Sequence, residues 1–194
     1  MGISLVGGNH VELLRRMFTV KDYHKMMADA VLTEGDRVEL IRGEIVQMSP
    51  IGPRHTACVK RLNELFMSRL AGRITIGVQD PVELDDNSEP QPDISLLRRR
   101  ADFYATGHPQ SEEIFLLVEV ADTTVDYDRE VKVPLYAEDS IREVWLVNIN
   151  DGSLEVYREP AENGYQNVRQ FQEEETVTIQ AFPDVVFTVD ELLG

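Results

Sequence analysis

Ile114-Phe115-Leu116-Leu117-Val118 is an almost unbroken apolar run that continues past Glu119 to Val120. A run of this length without alternation predicts a central strand covered on both faces, and so a sheet with packed layers on either side. Glu119 interrupts it. A carboxylate inside such a strand is tolerated only when it is paired, hydrogen-bonded or bound to metal. A second acid, Asp93, follows Gln91-Pro92 at the start of another apolar run, and Lys132 lies on the segment after Glu119. Two acids on neighbouring core strands with one lysine behind them make a candidate site.

The other segments supply the layers. Thr19 and Asp22 form a capping pattern with Phe18 and Tyr23 as a staple, predicting a short helix to about Ala28. Arg37 to Met48 reads as a β-hairpin turning at Arg42-Gly43, with Glu39 opposite Val38 and Leu40. Apolar spacing from Gly52 to Ala71 predicts an amphipathic helix with His55 one turn before Val59. Strands are expected at Ile74 to Leu84, Pro92 to Leu97, Ile114 to Val120 and Arg142 to Ile149. A helix is expected from about Arg129 to Ala137, where Lys132 and Tyr136 share a face. Ser153 to Arg158 pairs back across Asn150-Asp151-Gly152-Ser153. A loop at Pro160 to Gly164, weaker strands at Val168 to Gln172 and Thr176 to Gln180, and a capped short helix after Thr188 finish the chain. The pattern predicts an α/β or α+β domain, a central mixed sheet flanked by helices with added hairpins, over residues 18–194, preceded by a flexible leader at 1–17.

Charge narrows the function. With 35 acidic and 19 basic residues the net charge is -16, which repels polyanions at long range and argues against strong non-specific affinity for DNA or a membrane surface. Arg98-Arg99-Arg100 is the basic cluster, either a phosphate contact or a solvated turn. No apolar run approaches the roughly 20 residues that cross a bilayer, and Met1 to His10 has no signal-peptide pattern, so a cytoplasmic location is expected. The single Cys58 excludes an internal disulfide and reads as a small buried hydrophobe.

If the strands of Asp93 and Glu119 are neighbours, both carboxylates emerge on one side, within reach of one ion. Oxygen ligands suit Mg2+ or Mn2+. Such an ion polarises a phosphate oxygen and activates water, and the Lys132 ammonium would favour the charge that develops. The bland reading of the same residues is a buried salt bridge from Glu119 to Lys132 or Arg142, a core histidine at His55 and a solvated Glu39.

Pro92-Asp93 followed by Glu119-Val120 closing an apolar strand resembles the core of the PD-(D/E)xK nuclease superfamily. Val38-Glu39-Leu40-Ile41-Arg42-Gly43-Glu44, Met48-Ser49-Pro50 with His55, Glu89-Pro90-Gln91-Pro92-Asp93, Leu117-Val118-Glu119-Val120, Lys132 with Leu135-Tyr136-Ala137, and Glu143-Val144-Trp145 together resemble the Uma-two family of putative restriction endonucleases. The resemblance runs from about Phe18 to Leu193. It implies a restriction-endonuclease-like fold and a metal-dependent endonuclease acting on DNA. Asp93 and Glu119 would be its metal ligands, Lys132 its catalytic ammonium, and Glu39, His55 and Gln91 accessory groups. In the superfamily the lysine usually stands two residues after the acid, where this chain has Ala121, and Lys132 on the next helix would replace it. Pairing into a homodimer is the further expectation. The competing expectation is a nuclease-like fold that binds without cutting.

Overall fold

A computed structural model describes residues 15–194. The chain opens with α1 (Val20–Ala28), the hairpin β1 (Val38–Ile41) and β2 (Glu44–Gln47), and the long helix α2 (Pro53–Leu70). Then come β3 (Thr75–Val78), β4 (Ile94–Leu97) and β5 (Ile114–Ala121). After β5 there is a helical stretch in three parts, α3 (Val125–Tyr127), a π-helical turn (Asp128–Lys132) and α4 (Val133–Glu138). The chain ends with β6 (Glu143–Asn148), β7 (Ser153–Ala161), β8 (Gly164–Phe171), the hairpin β9 (Thr176–Ile179) and β10 (Phe182–Thr188), and α5 (Val189–Leu193).

Six strands form the central sheet in chain order from β3 to β8. Every neighbouring pair is antiparallel except β5 and β6. A parallel pair needs a crossover long enough to return the chain to the same edge, and the helical stretch 125–138 is that crossover. β5 is covered on both faces, as its composition requires. Leu116, Val118 and Val120 pack with Leu62 and Phe66 of α2. Leu117 and Ala121 face the opposite way, toward Val133 and Tyr136. Glu119 alternates with Val118 and Val120, so it emerges on the crossover-helix face. A smaller cluster of Val20, Tyr23 and Leu40 joins α1 to the first hairpin. The reciprocal capping box between Thr19 and Asp22 fixes where α1 begins.

Several boundaries differ from the sequence reading. The helix after β5 starts at Val125 rather than Arg129, because a π turn precedes Pro134. There the Val133 N–H reaches back to the Asp128 carbonyl, so the donor that proline lacks falls where the α-helical ladder is already interrupted. β3 stops at Val78 instead of Leu84, since Gln79 has φ 57° and turns the chain away. The residues after it loop out to meet the hairpin at the Leu40–Glu89 bridge. The expected loop at Pro160 to Gly164 is a tight turn, with Ala161 paired to Gly164. β10 was not expected. Pro183 argues against a strand, but a two-stranded edge with a register shift between Phe182 and Val186 accommodates it.

Of the expected leader 1–17, residues 1–14 lie outside the described residues, and the end of it docks on the hairpin turn. The Phe18 N–H donates to the Gly43 carbonyl at 2.9 Å. Gly43 has φ 78°, and a Cβ there would stand 2.6 Å from Cβ of Met17, so only glycine fits.

Leu116 is fully buried between β5 and α2, whereas Val168 on β8 is 54% exposed. Leu116→Ala should therefore lower unfolding free energy by about 2–5 kcal/mol, and Val168→Ala should stay within about 0.5 kcal/mol of wild type. Urea titrations followed by tryptophan fluorescence measure both.

Candidate active site

Asp93 immediately precedes β4, and Ile94 pairs with Val118. One step further in the same register sets Asp93 beside Glu119. Proximity is fixed by main-chain bonding: the Val120 N–H donates to Asp93 Oδ2 at 2.9 Å, and the Gln79 N–H donates to the Asp93 carbonyl at 3.1 Å. Gln79 Nε2 donates to the other carboxylate oxygen, Oδ1, at 3.1 Å. From the first turn of α2, His55 Nε2 meets Asp93 Oδ2 at 2.9 Å.

Lys132 enters from the opposite side. It ends the π-helical turn, a widened stretch of a kind often found at functional sites. Its Nζ lies 3.2 Å from Glu119 Oε1 and 3.2 Å from Glu39 Oε2. All three side chains are buried. Tyr136, four residues on, donates its hydroxyl to Glu119 Oε1 at 2.5 Å, so the shared face read from the sequence is the face that meets Glu119. Glu39 is held by the Gln91 N–H at 3.1 Å and by the Tyr127 hydroxyl at 3.3 Å. Asp128 is capped by Thr124 Oγ1 at 2.6 Å.

Glu39, His55, Gln91, Asp93, Glu119 and Lys132 thus all line one cleft of about 440 Å3. Gln91 contributes its main chain to Glu39, while its side chain bonds the Val38 carbonyl at 3.4 Å. The solvated reading of Glu39 fails, since this residue is 2% exposed. Glu119 pairs with Lys132 and not with Arg142. Tyr127, Asp128, Tyr136 and Gln79 are the members that the sequence reading did not assign to the site. Asp128 carried a usable signal, standing four residues before Lys132 on one helix face. Gln79 carried none, because its role depends on a left-handed backbone.

Burial governs the electrostatics. It pushes the Glu119 carboxyl up to about 8 against the opposing pull of Lys132, and Asp128 up to about 6. It works against the Lys132 ammonium as well, but the surrounding carboxylates, Glu119 and Glu39 first, outweigh it and hold the lysine above its ordinary value. Lys132 is therefore a fixed positive charge. For His55 burial opposes the charged form, and the hydrogen bond and charge of Asp93 reverse that into a net rise.

The donor set fits a hard divalent cation. Asp93 and Glu119 offer oxygen only, and Glu119 Oε2 accepts no hydrogen bond among the described residues. Among the described residues Asp93 and Glu119 belong to no set of three acid, histidine or cysteine ligand atoms all within 4.8 Å of one another. Two carboxylates with the remaining positions left to water and phosphate is the arrangement Mg2+ commonly takes. The other sequence candidates are spent elsewhere. Arg100 pairs with Asp102, Arg99 donates to the Gly72 carbonyl and Arg98 stacks over Phe115. Cys58 is buried, with burial raising its thiol to about 11.

A family model described as "Putative restriction endonuclease", Uma2, matches residues 20–190. Among curated proteins nothing matches. Among solved structures the chain resembles the crystal structure of a putative nuclease belonging to DUF820 from Anabaena variabilis. The two share 16% identity at a TM-score of 0.70, covering 91% of this chain and 97% of that one. At that identity the likeness carries the fold.

Glu119 and Asp128 titrate higher folded than unfolded, so the stability each lends is complete below its ordinary value and is lost as pH rises through about 8 and about 6 respectively. Without divalent ions, the urea midpoint should fall between about pH 5 and pH 8, and Glu119→Gln should flatten most of that fall. Equilibrium titrations at a series of pH values read the slope.

Proposed function

The chain belongs to the Uma2 family of putative restriction endonucleases, and on that premise we propose that it is a metal-dependent endonuclease that hydrolyses DNA phosphodiester bonds in the cleft between β4, β5 and the crossover helix. The observation that carries this reading is the convergence of Asp93, Glu119 and Lys132 on one cleft, two acids from adjacent strands with a buried ammonium against them.

Asp93 and Glu119 would hold Mg2+ or Mn2+. When bound, such an ion supplies polarisation of a phosphate oxygen and a water of lowered pKa. The residues themselves do the positioning. The Val120 N–H, Gln79 and His55 fix the rotamer of Asp93, so the carboxylate does not have to be ordered when substrate arrives. Tyr136 and Lys132 orient Glu119 through Oε1 and leave Oε2 without a protein hydrogen bond. Lys132 keeps its proton and donates hydrogen bonds to the negative charge that grows on phosphorus oxygens, a contribution that falls to the ammonium because Lys132 lines the cleft and Arg98-Arg99-Arg100 do not. Glu39 anchors the lysine from the hairpin side at 3.2 Å. His55 bonds Asp93 and acts through it, as a positioning residue.

The net charge of -16 sets the binding regime. Few free cations mean weak affinity for duplex DNA that declines steeply with salt, while the chemistry, confined to the cleft, depends on the ion offsetting its own carboxylates. Homodimerisation fits with this reading, since a second copy would present a second cleft. Exposed Val168 and Val186, on β8 and β10, offer apolar surface for it. Among the described residues no helix is long and apolar enough to cross a membrane.

Plasmid cleavage in Mg2+ or Mn2+ is the test. Wild type should nick or cut, Asp93→Asn and Glu119→Gln should each lose at least about 100-fold in rate, and Lys132→Met should lose on the order of 100- to 1,000-fold. Glu119→Gln is the informative variant, because it keeps an oxygen for the Tyr136 hydroxyl and removes only the carboxylate. Equal cleavage by wild type and Asp93→Asn would sink the proposal, and wild-type inactivity together with no divalent-ion binding would favour the non-cutting module.

A further inference from the structure

A second group of chemistry-bearing side chains lies outside the acid and lysine site. His24 on α1, Glu89 on the loop before β4 and His108 on the loop before β5 each bring one ligand atom to within 4.8 Å of the other two. They come from three separated stretches, and they include two of the four histidines in the chain. His24 Nε2 is 2.6 Å from Glu89 Oε2, and the rings of His24 and His108 stand 5.9 Å apart between centroids. His108 makes no side-chain hydrogen bond among the described residues, although a ring nitrogen lies within 4.8 Å of the same carboxylate.

The backbone under each of these residues is anchored. Glu89 is bridged to Leu40 of the hairpin, its N–H donating to the Leu40 carbonyl at 2.8 Å. His24 sits in the middle of a capped helix. Next to His108, the Pro109 carbonyl accepts from the Glu83 N–H at 3.0 Å. Glu89 is 3% exposed, and burial raises its carboxyl despite both imidazoles.

From this geometry we infer that His24, Glu89 and His108 form a zinc site, distinct from the Asp93 and Glu119 pair. Two imidazole nitrogens and one carboxylate oxygen are a zinc ligand set that leaves one tetrahedral position open, and imidazole selects against the Mg2+ that the all-oxygen pair would prefer. All three residues line a cavity of about 830 Å3, whose wall shares Arg37, Met48, Gln79 and Gln91 with the neighbouring cleft. Bound zinc ties α1 to the Glu89-to-Asp93 segment and to the loop entering β5. It is a clamp on the strand entry that presents Asp93, four residues beyond Glu89.

The test uses the full chain with zinc alone as the probe, in millimolar Mg2+ so that the all-oxygen pair is not the zinc sink. Calorimetry should give one zinc per chain, and Co2+ in its place should give the intense visible absorption of a tetrahedral site. His24 is partly exposed and His108 is not in the core, so substituting them should leave the fold intact, which circular dichroism checks. His108→Ala should weaken zinc by more than the roughly 10- to 100-fold that losing an outer-shell partner costs, and His24→Ala/His108→Ala should abolish the cobalt band. Asp93→Asn should leave zinc binding unchanged. Zinc should raise the unfolding temperature of wild type and not of the double variant. Zinc binding of equal strength in the double variant, absence of zinc binding by folded wild type, or loss of zinc binding in Asp93→Asn would each overturn the inference.

Discussion

Lys132 is placed where its charge is most costly and most constrained. It is 5% exposed, and its ammonium is tolerated only because Glu39 and Glu119 both stand 3.2 Å away. Removing either ion of such a buried pair leaves an uncompensated charge, a cost of about 3–5 kcal/mol. The trio therefore holds three layers together: the first hairpin through Glu39, the central sheet through Glu119, and the crossover helix through the lysine. Sheet and helix could pack through Leu117, Val133 and Tyr136 alone. The hairpin is held over the cleft by polar contacts: these charges, the Leu40–Glu89 bridge, the Gly43 N–H on the Asn87 carbonyl and the Arg42 pair with Glu138 of α4.

A site built this way is polar and buried, and its charged groups are paired, while His55 Nδ1 and Glu119 Oε2 have no hydrogen-bond partner among the described residues, which shapes how it would work. Each carboxylate has protein partners before any ion arrives, and burial biases Glu119 toward its neutral form. Asp93 and Glu119 would hold a divalent cation through their ionised carboxylates, with Lys132 remaining beside Glu119 as a fixed charge. Of the neighbouring histidine and carboxylate cluster, Glu89 sits on the same run of chain as Asp93, so anything bound there bears on the strand entry that presents the acid.

Much of this was legible in the sequence because it depends on short-range pattern. The apolar run from Ile114, the capping pair Thr19 and Asp22, and the turn at Arg42-Gly43 each specify local geometry that tertiary contacts had no reason to override. The register that sets Asp93 beside Glu119 followed once two neighbouring strands were identified. What escaped was nonlocal or depended on backbone exceptions. Gln79 reaches Asp93 only because its φ is positive, the π turn before Pro134 has no composition signature, and β10 contains a proline that reads against a strand. His24, Glu89 and His108 are far apart in sequence, each unremarkable alone, and only folding brings them together. The direct superfamily spacing would have put a lysine at Ala121. The fold brings Lys132 to Glu119 from the widened helical turn, a position that the resemblance implied and the superfamily spacing did not.

The central claim is that Asp93 and Glu119 hold a divalent ion against a fixed ammonium. The most direct measurement is the anomalous signal of Mn2+ in crystals of the protein soaked at neutral to mildly alkaline pH. The account predicts a peak within coordination distance of both Asp93 and Glu119 Oε2, with Lys132 still protonated beside it. A difference map with no peak at that pair, in crystals where manganese is bound elsewhere and the Lys132–Glu119 contact is unchanged, would contradict it.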